Sequence, residues 1–179
     1  MAAVAAEGWG DVDVAAAPAR CGRPPLSWDE LCPLVPKDCT QMVILGRVCL
    51  SWLGPPPAGW PPVKVIRHAE CFHLVAEAAL VAEAIARGAY LITPGWLDDW
   101  RGHIHRMGFD ENGAAGFFQD FARELLLLDT GAGIDTPRKF AEFANAIGVP
   151  ARRLTVGIDH VRLTLAPLVA KWRMGEDLT

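Results

Sequence analysis

The chain has 179 residues, a formal net charge of −4 and 51% hydrophobic residues, which suits one domain with a sizeable core. The slightly acidic pI of about 5.7 gives no electrostatic reason to expect a nucleic-acid partner. No apolar run reaches the roughly 18 residues that a membrane span needs, and the first residues lack a signal-peptide pattern. We therefore expect a cytoplasmic protein with five reduced cysteines and no membrane partner.

Six short apolar runs predict β-strands, in chain order 11–17, 41–46, 63–66, 89–93, 125–129 and 152–156. The run "LLLLD" at 125–129 has the continuous apolar character of a strand that is buried on both faces. The connection at 51–62 is rich in proline and cannot be helical. It is therefore either a plain loop crossing or a sign that the strands on either side of it are arranged differently.

The segments between these strands carry helical patterns. Ser27 and Glu30 form a capping box at the start of a helix at 27–34. In the next predicted helix, at 71–87, four apolar residues share one face, namely Leu74, Ala78, Val81 and Ile85. Further helices are predicted at 94–108, 110–125, 136–148 and 159–173, the last with a kink at Pro167.

Alternation of strands with helices predicts a three-layer α/β fold, in which helices cover both faces of one mostly parallel sheet. The sheet would have about six strands, as in Rossmann-like or flavodoxin-like folds. This single domain would span residues 11–174, after a flexible or truncated N-terminus at 1–10 and before a tail at 175–179.

Three of the five cysteines lie where predicted strands end, in the loops "ARCG", "GRVC" and "RHAECFH". Ligand sites of open parallel sheets lie at the carboxyl ends of the strands, so Cys21, Cys49 and Cys71 are expected at one shared rim. Such thiolates could bind zinc together with a nitrogen ligand, or an iron–sulfur cluster with one iron left open. His73, His68 or His160 could supply the nitrogen. The alternative is that the cysteines are only packed in the core.

Three other predicted loops reach the same rim. "LLLLDTGAGID" is similar to the glycine-rich loop of methyltransferases that use S-adenosylmethionine, but Asp135 replaces the third glycine and too little chain follows for that fold. Gly131 and Gly133 could still bring backbone close to a ligand beside Asp129, although a tight turn alone explains both glycines. Trp96 in "YLITPGW" is either a pocket wall or a core residue, and His160 could be an acid, a base or a ligand.

The segments "AECFH", "GAYLITPGWLDDW", "MGFDENGAAGFFQDFARELLLLDTG" and "FANAIGVPARRLTVGIDHVRLTL" resemble a prokaryotic family of unknown function over about residues 10–172. Members of that family occur in methanogens near corrinoid-dependent methyltransferases, and related segments precede signalling modules in bacteria. The resemblance implies cysteines in corresponding rim loops, here Cys49 and Cys71. It also implies a longer N-terminal part than this chain has, of which "MAAVAAEG" looks like the end of a helix.

Two hypotheses about function follow from these residues. The first is a metal-binding or iron–sulfur domain held by Cys21, Cys49, Cys71 and optionally His73, with a sensory role or a link to corrinoid and methyl-transfer metabolism. The second is a non-enzymatic domain that senses a small ligand or binds another protein or signalling domain, with packed cysteines and a pocket near Trp96 and His160. A catalytic Cys–His pair is the third hypothesis. A nucleophile needs a base within hydrogen-bond reach, and the sequence does not give that distance.

Overall fold

In the computed structural model, residues 1–17 and 24–176 are described, and they form two compact units. Unit 1 is Met1–Leu74 together with Arg162–Thr179, and unit 2 is Val75–Val161. Within the described ranges, no helix has the length and apolar character that crossing a membrane would require.

Unit 1 is built around two parallel strands, β1 (Met42–Gly46) and β2 (Val63–Arg67). Their register runs from Met42 opposite Val63 to Gly46 opposite Arg67. The connection between them contains a single 3₁₀ turn, Val48–Leu50, so of the two alternatives that the prolines left open the structure has the plain loop crossing. The helices of this unit include the short α1 (Ala2–Glu7) and α2 (Trp28–Leu31), which continues into a 3₁₀ turn at Cys32–Leu34.

The start of α2 is fixed locally. The Ser27 hydroxyl accepts a hydrogen bond from the backbone N–H of Glu30 at 3.4 Å, and the Ser27 N–H donates to Glu30 Oε2 at 3.0 Å, which confirms the predicted capping box. The helix places Leu31 in a small core with Leu26, Leu50 and Leu53. This core therefore joins α2 to the loop that follows β1.

Unit 2 alternates strands and helices, as the sequence predicts. Its elements in order are α3 (Ala78–Ala86), β3 (Ala89–Ile92), α4 (Pro94–Leu97), α5 (Trp100–Arg106), α6 (Glu111–Phe121), β4 (Glu124–Asp129), α7 (Thr136–Ile147) and β5 (Ala151–Thr155). The last helix, α8 (Asp159–Arg173), starts in unit 2 and continues into unit 1. The three strands are parallel in the order β3-β4-β5.

The central strand β4 explains the stability of this sheet. Leu125 to Leu128 are all fully buried, and consecutive side chains of a strand point to opposite faces, so both faces of β4 are covered. Leu125 and Leu127 pack in one core with aromatic residues from α5, α6 and α7, namely Trp100, Phe118, Phe140 and Phe143. The prediction of a strand buried on both faces is confirmed.

The described chain has five strands in two sheets, whereas the sequence predicted about six strands in one sheet. Residues 11–17 are described and contain no strand, so that part of the prediction is wrong. The physical reason is that alanine and aspartate are poor strand formers, and Asp11 instead pairs with Arg173 of α8 at 2.6 Å. The division into two sheets was missed because strand pairing depends on tertiary packing, which the periodicity of one segment does not encode.

Two predicted helices are interrupted. The segment 71–87 is a 3₁₀ turn at Cys71–Leu74 followed by α3, and 94–108 is divided into α4 and α5 around Asp98 and Asp99. In each case the apolar periodicity continues across the break, which is why the sequence pattern did not reveal it. The helix at 110–125 is shorter than predicted and ends at Phe121.

Two helical glycines are expected to respond oppositely to replacement by alanine. A Cβ atom at Gly116 of α6 would meet nothing within 4 Å, so Gly116→Ala is expected to raise the free energy of unfolding by about 0.5–1 kcal/mol through helix propensity. A Cβ atom at Gly102 of α5 would lie 2.3 Å from Asp99 Oδ1. That carboxylate would have to move and give up its 3.0 Å pair with Arg106, so Gly102→Ala is expected to lower stability. Urea unfolding at pH 7 checks both signs, and equal effects of the two substitutions would contradict this account.

The ion pair that joins β4 to β5 predicts a pH dependence. Arg152 donates to both carboxylate oxygens of Glu124 at 3.2 Å, and this hydrogen bonding lowers the pKa of Glu124 from its ordinary value of 4.5. The folded state therefore favours the ionised carboxylate. Its contribution to stability is complete above pH 4.5 and is lost as the pH falls through the lower pKa of the folded state.

Glu124→Gln is therefore expected to lower stability at pH 7 and to flatten the loss of stability on acidification below pH 4.5. Arg152→Gln removes the cause of the shift while keeping the carboxyl group, and should flatten the same part of the profile. Urea unfolding between about pH 3 and about pH 7, a range that brackets the ordinary pKa of a glutamate side chain, measures both effects. A steep acid limb retained in Arg152→Gln would show that this pair is not its source.

Candidate site at the carboxyl ends of the strands

Each of the two sheets has its own strand-end loops, which are described unit by unit. The loops "GRVC" and "RHAECFH" follow β1 and β2 in unit 1, and the loops "TPGW", "DTGAG" and "GIDH" follow β3, β4 and β5 in unit 2. Cys21 lies outside the described residues. Of the other predicted ligands, Cys49, Cys71 and His73 belong to unit 1, and Trp96, Asp129, Gly131, Gly133 and His160 belong to unit 2.

Cys49 lies close over the end of β1. A Cβ atom built on Gly46 would come within 2.9 Å of Cys49 Sγ and 2.8 Å of Leu50 Cγ, so only glycine leaves room for this thiol at the strand end. Cys49 is half-buried, and the 3₁₀ turn that carries it is anchored by the fully buried Leu50. The turn that carries the Cys49 thiol is thus held in place by the core packing of Leu50.

The loop after β2 is connected to the end of β1 by backbone and side-chain hydrogen bonds. The N–H of His68 donates to the carbonyl of Gly46 at 2.8 Å, and Arg47 donates to the carbonyl of Ala69 and pairs with Glu70 at 3.0 Å. Cys71 begins the 3₁₀ turn immediately after this connection and is exposed to solvent. Because β1 and β2 are adjacent and in register, both cysteine-bearing turns lie at the same end of the sheet.

His73 follows Cys71 in the same 3₁₀ turn. With about three residues per turn, side chains two positions apart differ in direction by about 120°. Among residues 1–17 and 24–176, no three side chains of histidine, cysteine, aspartate or glutamate are arranged to hold a metal ion. Cys49, Cys71 and His73 therefore do not form such a group by themselves.

Leu26 reaches the same rim through its backbone, because its N–H donates to the carbonyl of Cys49 at 2.8 Å.

In unit 2, Asp129 ends β4 as a buried carboxylate. It accepts a hydrogen bond from the N–H of Gly131 at 2.8 Å and pairs with Arg153 at 2.5 Å. Its backbone carbonyl accepts from the N–H of Val156, just after β5, at 2.9 Å. Asp129 therefore closes the turn and joins two strand ends. Gly131 has a φ of 72°, so the tight-turn explanation fits this glycine.

The glycine loop also contacts the loop after β3. A Cβ atom at Gly133 would lie 2.4 Å from Thr136 Oγ1 and 3.9 Å from the Cβ of Pro94, which places Gly133 against both the start of α7 and the start of α4. Thr136 is itself buried. The loops that follow β3 and β4 are thus brought together, as the carboxyl-end argument predicts for neighbouring parallel strands.

Trp96 packs into the aromatic core of unit 2. Its ring is stacked on His103 with centroids 5.2 Å apart and meets Phe143 edge-on at 5.1 Å. His160 lies in the first turn of α8, after Asp159. Sequence reasoning did not identify the cluster of Trp96, His103 and Arg106, in which Arg106 Nη2 lies 2.7 Å from His103 Nδ1. The spacing of seven residues between Trp96 and His103, two helical turns, is the signal that could have found it.

The two parallel sheets and the helices around them define a mixed α/β protein. The chain belongs to the family described as "Protein of unknown function (DUF1638)", whose profile matches residues 57–165, more than half of the chain. The matched segment contains Cys71 and the rim of unit 2. No curated protein and no solved structure matches the chain.

Proposed function

We propose that unit 1 binds a zinc ion or an iron–sulfur cluster through the thiolates of Cys21, Cys49 and Cys71. The observation that supports this proposal is the placement of Cys49 and Cys71 in turns that follow two adjacent, in-register parallel strands. Two thiols supplied by separate loops at one end of a sheet are a common arrangement for binding, whereas two packed core cysteines need not share an end. Cys71 is moreover exposed, which packing does not require.

Cys21 is the third ligand in this proposal because zinc and iron–sulfur sites take at least three protein ligands, and the sequence prediction drew the third from the loop "ARCG". Three thiolates leave one coordination position open, either for a nitrogen ligand or solvent on zinc, or on one iron of a cluster. An open position suits a domain that detects or contacts a small molecule, in sensing or in corrinoid-linked methyl-transfer metabolism.

The protein groups around the thiols would tune such a centre. Arg47 bridges the two loops and brings a guanidinium group to the strand ends. Gly46 allows the Cys49 thiol to approach the backbone at the end of β1. These residues position the ligands and shape their electrostatic environment, and the bound metal would supply the Lewis-acid or redox chemistry.

Anaerobic purification followed by metal analysis and an absorption spectrum tests this proposal. The expected result is about one equivalent of zinc, or iron with a matching amount of acid-labile sulfide, lost in each of Cys21→Ser, Cys49→Ser and Cys71→Ser. Gly54→Ala is the matched control for losses of metal during purification, because its Cβ would meet nothing within 4 Å. A protein without zinc or iron that stays metal-free after anaerobic reconstitution would contradict the proposal.

A second candidate function is the binding of a small ligand at the rim of unit 2. The close approach of Gly133 to Pro94 and Thr136 favours it, because the loops after β3 and β4 then meet at one edge of the sheet. Asp129 and Trp96 are engaged by protein contacts, so the ligand would be held mainly by backbone groups of 130–133. His160 follows β5 in the first turn of α8 and is the side chain proposed to contact it. Line broadening of backbone amide signals confined to these loops, on addition of candidate metabolites, would support this function.

A further inference from the structure

The two cysteines that the proposed centre does not use share one cavity near the amino ends of the strands in unit 1. Cys32 immediately follows α2, and Cys39 lies three residues before β1. Both line one open cavity of about 420 Å³. The remaining lining residues are Val35, Pro36, Lys37, Thr40, Gly59, Trp60 and Pro61. This cavity is at the amino ends of β1 and β2, so it is separate from the rim that carries Cys49 and Cys71.

We infer that Cys32 and Cys39 form a dithiol site that binds one soft, low-coordinate metal ion of the Cu(I) class. The composition of the cavity selects this ligand. Its described lining offers two thiols and contains no histidine, aspartate or glutamate, so it lacks the four ligands that zinc takes and the oxygen ligands that calcium or magnesium take. Thiolates prefer soft ions, of which Cu(I) is the one common in cells.

The backbone around the pair is held in place by several contacts. The Cys39 thiol donates a hydrogen bond to the carbonyl of Gln41 at 3.2 Å, and the Cys39 N–H donates to the carbonyl of Pro36 at 3.2 Å. On the other side, Trp60 meets Trp28 of α2 edge-on, with ring centroids 4.9 Å apart. Cys32 is exposed to solvent. The pair is therefore both accessible to an ion and carried on fixed segments.

The charges balance in this site. Binding exchanges the two thiol protons for one Cu(I) ion, which gives a bis-thiolate complex with one negative charge and releases two protons to solvent. No electron is transferred. Lys37 lines the same cavity, and its ammonium group supplies the compensating positive charge. The affinity should therefore rise with pH, because each ligand must lose a proton before it binds.

Thiol protection measured by mass spectrometry tests this inference without relying on the rim. The full chain is reduced anaerobically, Cu(I) is added as the probe, and the alkylation rate of Cys39 by iodoacetamide is followed. We expect Cu(I) to slow this alkylation at least about tenfold, and we expect the protection to disappear in Cys32→Ser, since a single thiolate loses the advantage of two linked ligands. Protection should persist in Cys49→Ser.

Three outcomes would overturn the inference. They are no protection of Cys39 in the parent protein, equal protection in Cys32→Ser, or loss of protection in Cys49→Ser, which would assign the ion to the rim instead. A circular dichroism spectrum of Cys32→Ser matching the parent excludes misfolding as the cause, and Cys32 is exposed, so no packing is lost. Absence of zinc and iron from the rim would leave these expectations unchanged.

Discussion

Replacement of Phe118 by alanine is expected to lower the free energy of unfolding by about 3–5 kcal/mol, the largest effect of any single substitution considered for this chain. Phe118 of α6 is fully buried. Its ring meets Tyr90 of β3 at 4.8 Å and Phe143 of α7 at 5.6 Å, both edge-on. Truncation would therefore leave a cavity at the point where the sheet of unit 2 meets two helices, and the dense packing around it cannot collapse fully.

Phe121→Ala provides the matched control, because it makes the same chemical change one turn later in the same helix. The Phe121 side chain is 64% exposed and stacks on Phe117 at 5.4 Å, so its loss should cost less than about 1 kcal/mol. Urea unfolding followed by circular dichroism gives both values. Similar losses of unfolding free energy for the two substitutions would show that α6 does not bury the face that carries Phe118.

Replacement of Gly46 by alanine is expected to cost about 1–3 kcal/mol through overpacking. The new methyl group would lie 2.8 Å from Leu50 Cγ and 2.9 Å from Cys49 Sγ. Leu50 is fully buried, and its Cγ is not the free end of the side chain. Relief of the clash therefore requires movement of the whole 3₁₀ turn Val48–Leu50, so the Cys49 thiol is expected to move as well.

Gly54→Ala is the control for this substitution, since its Cβ would meet nothing within 4 Å. Its stability should stay within about 0.5 kcal/mol of the parent protein.

A further readout follows from the position of Gly46. Gly46→Ala should change the alkylation rate of Cys49 while leaving that of Cys39 unchanged. An unchanged Cys49 rate together with unchanged stability would contradict the close packing at the end of β1.

Local signals in the sequence predicted much of the secondary structure. The four consecutive leucines of β4 indicated a strand buried on both faces, and the capping box at Ser27 fixed the start of α2. Local signals failed where distant residues decide the outcome. Asp11 pairs with Arg173, which is 162 positions later in the chain, and this contact accompanies the coil at 11–17 where a strand was predicted.

The candidate site was predictable in part, for the same reason. Cys49 and Cys71 could each be placed at a strand end from their own segments, and the parallel register brings both to one end of a sheet. The strand predicted before Cys21 is absent from residues 11–17. The sequence of each segment did not reveal that the strands divide into two sheets, because this division depends on which faces pack together. The two histidines of α5 show the same limit. Side chains two residues apart on a helix point in nearly opposite directions, and only the contact with Trp96 shows that His103 is the one that packs.

The central claim is that Cys21, Cys49 and Cys71 act as one ligand set. A Cys32→Ser/Cys39→Ser background leaves these three as the remaining thiols of the chain, and anaerobic titration with Co(II) then reports thiolate coordination through its charge-transfer absorption. We predict saturation at about one equivalent of Co(II), with the absorption diminished by serine at any one of the three positions. Absence of the absorption, or its full retention in all three serine variants, would contradict the claim.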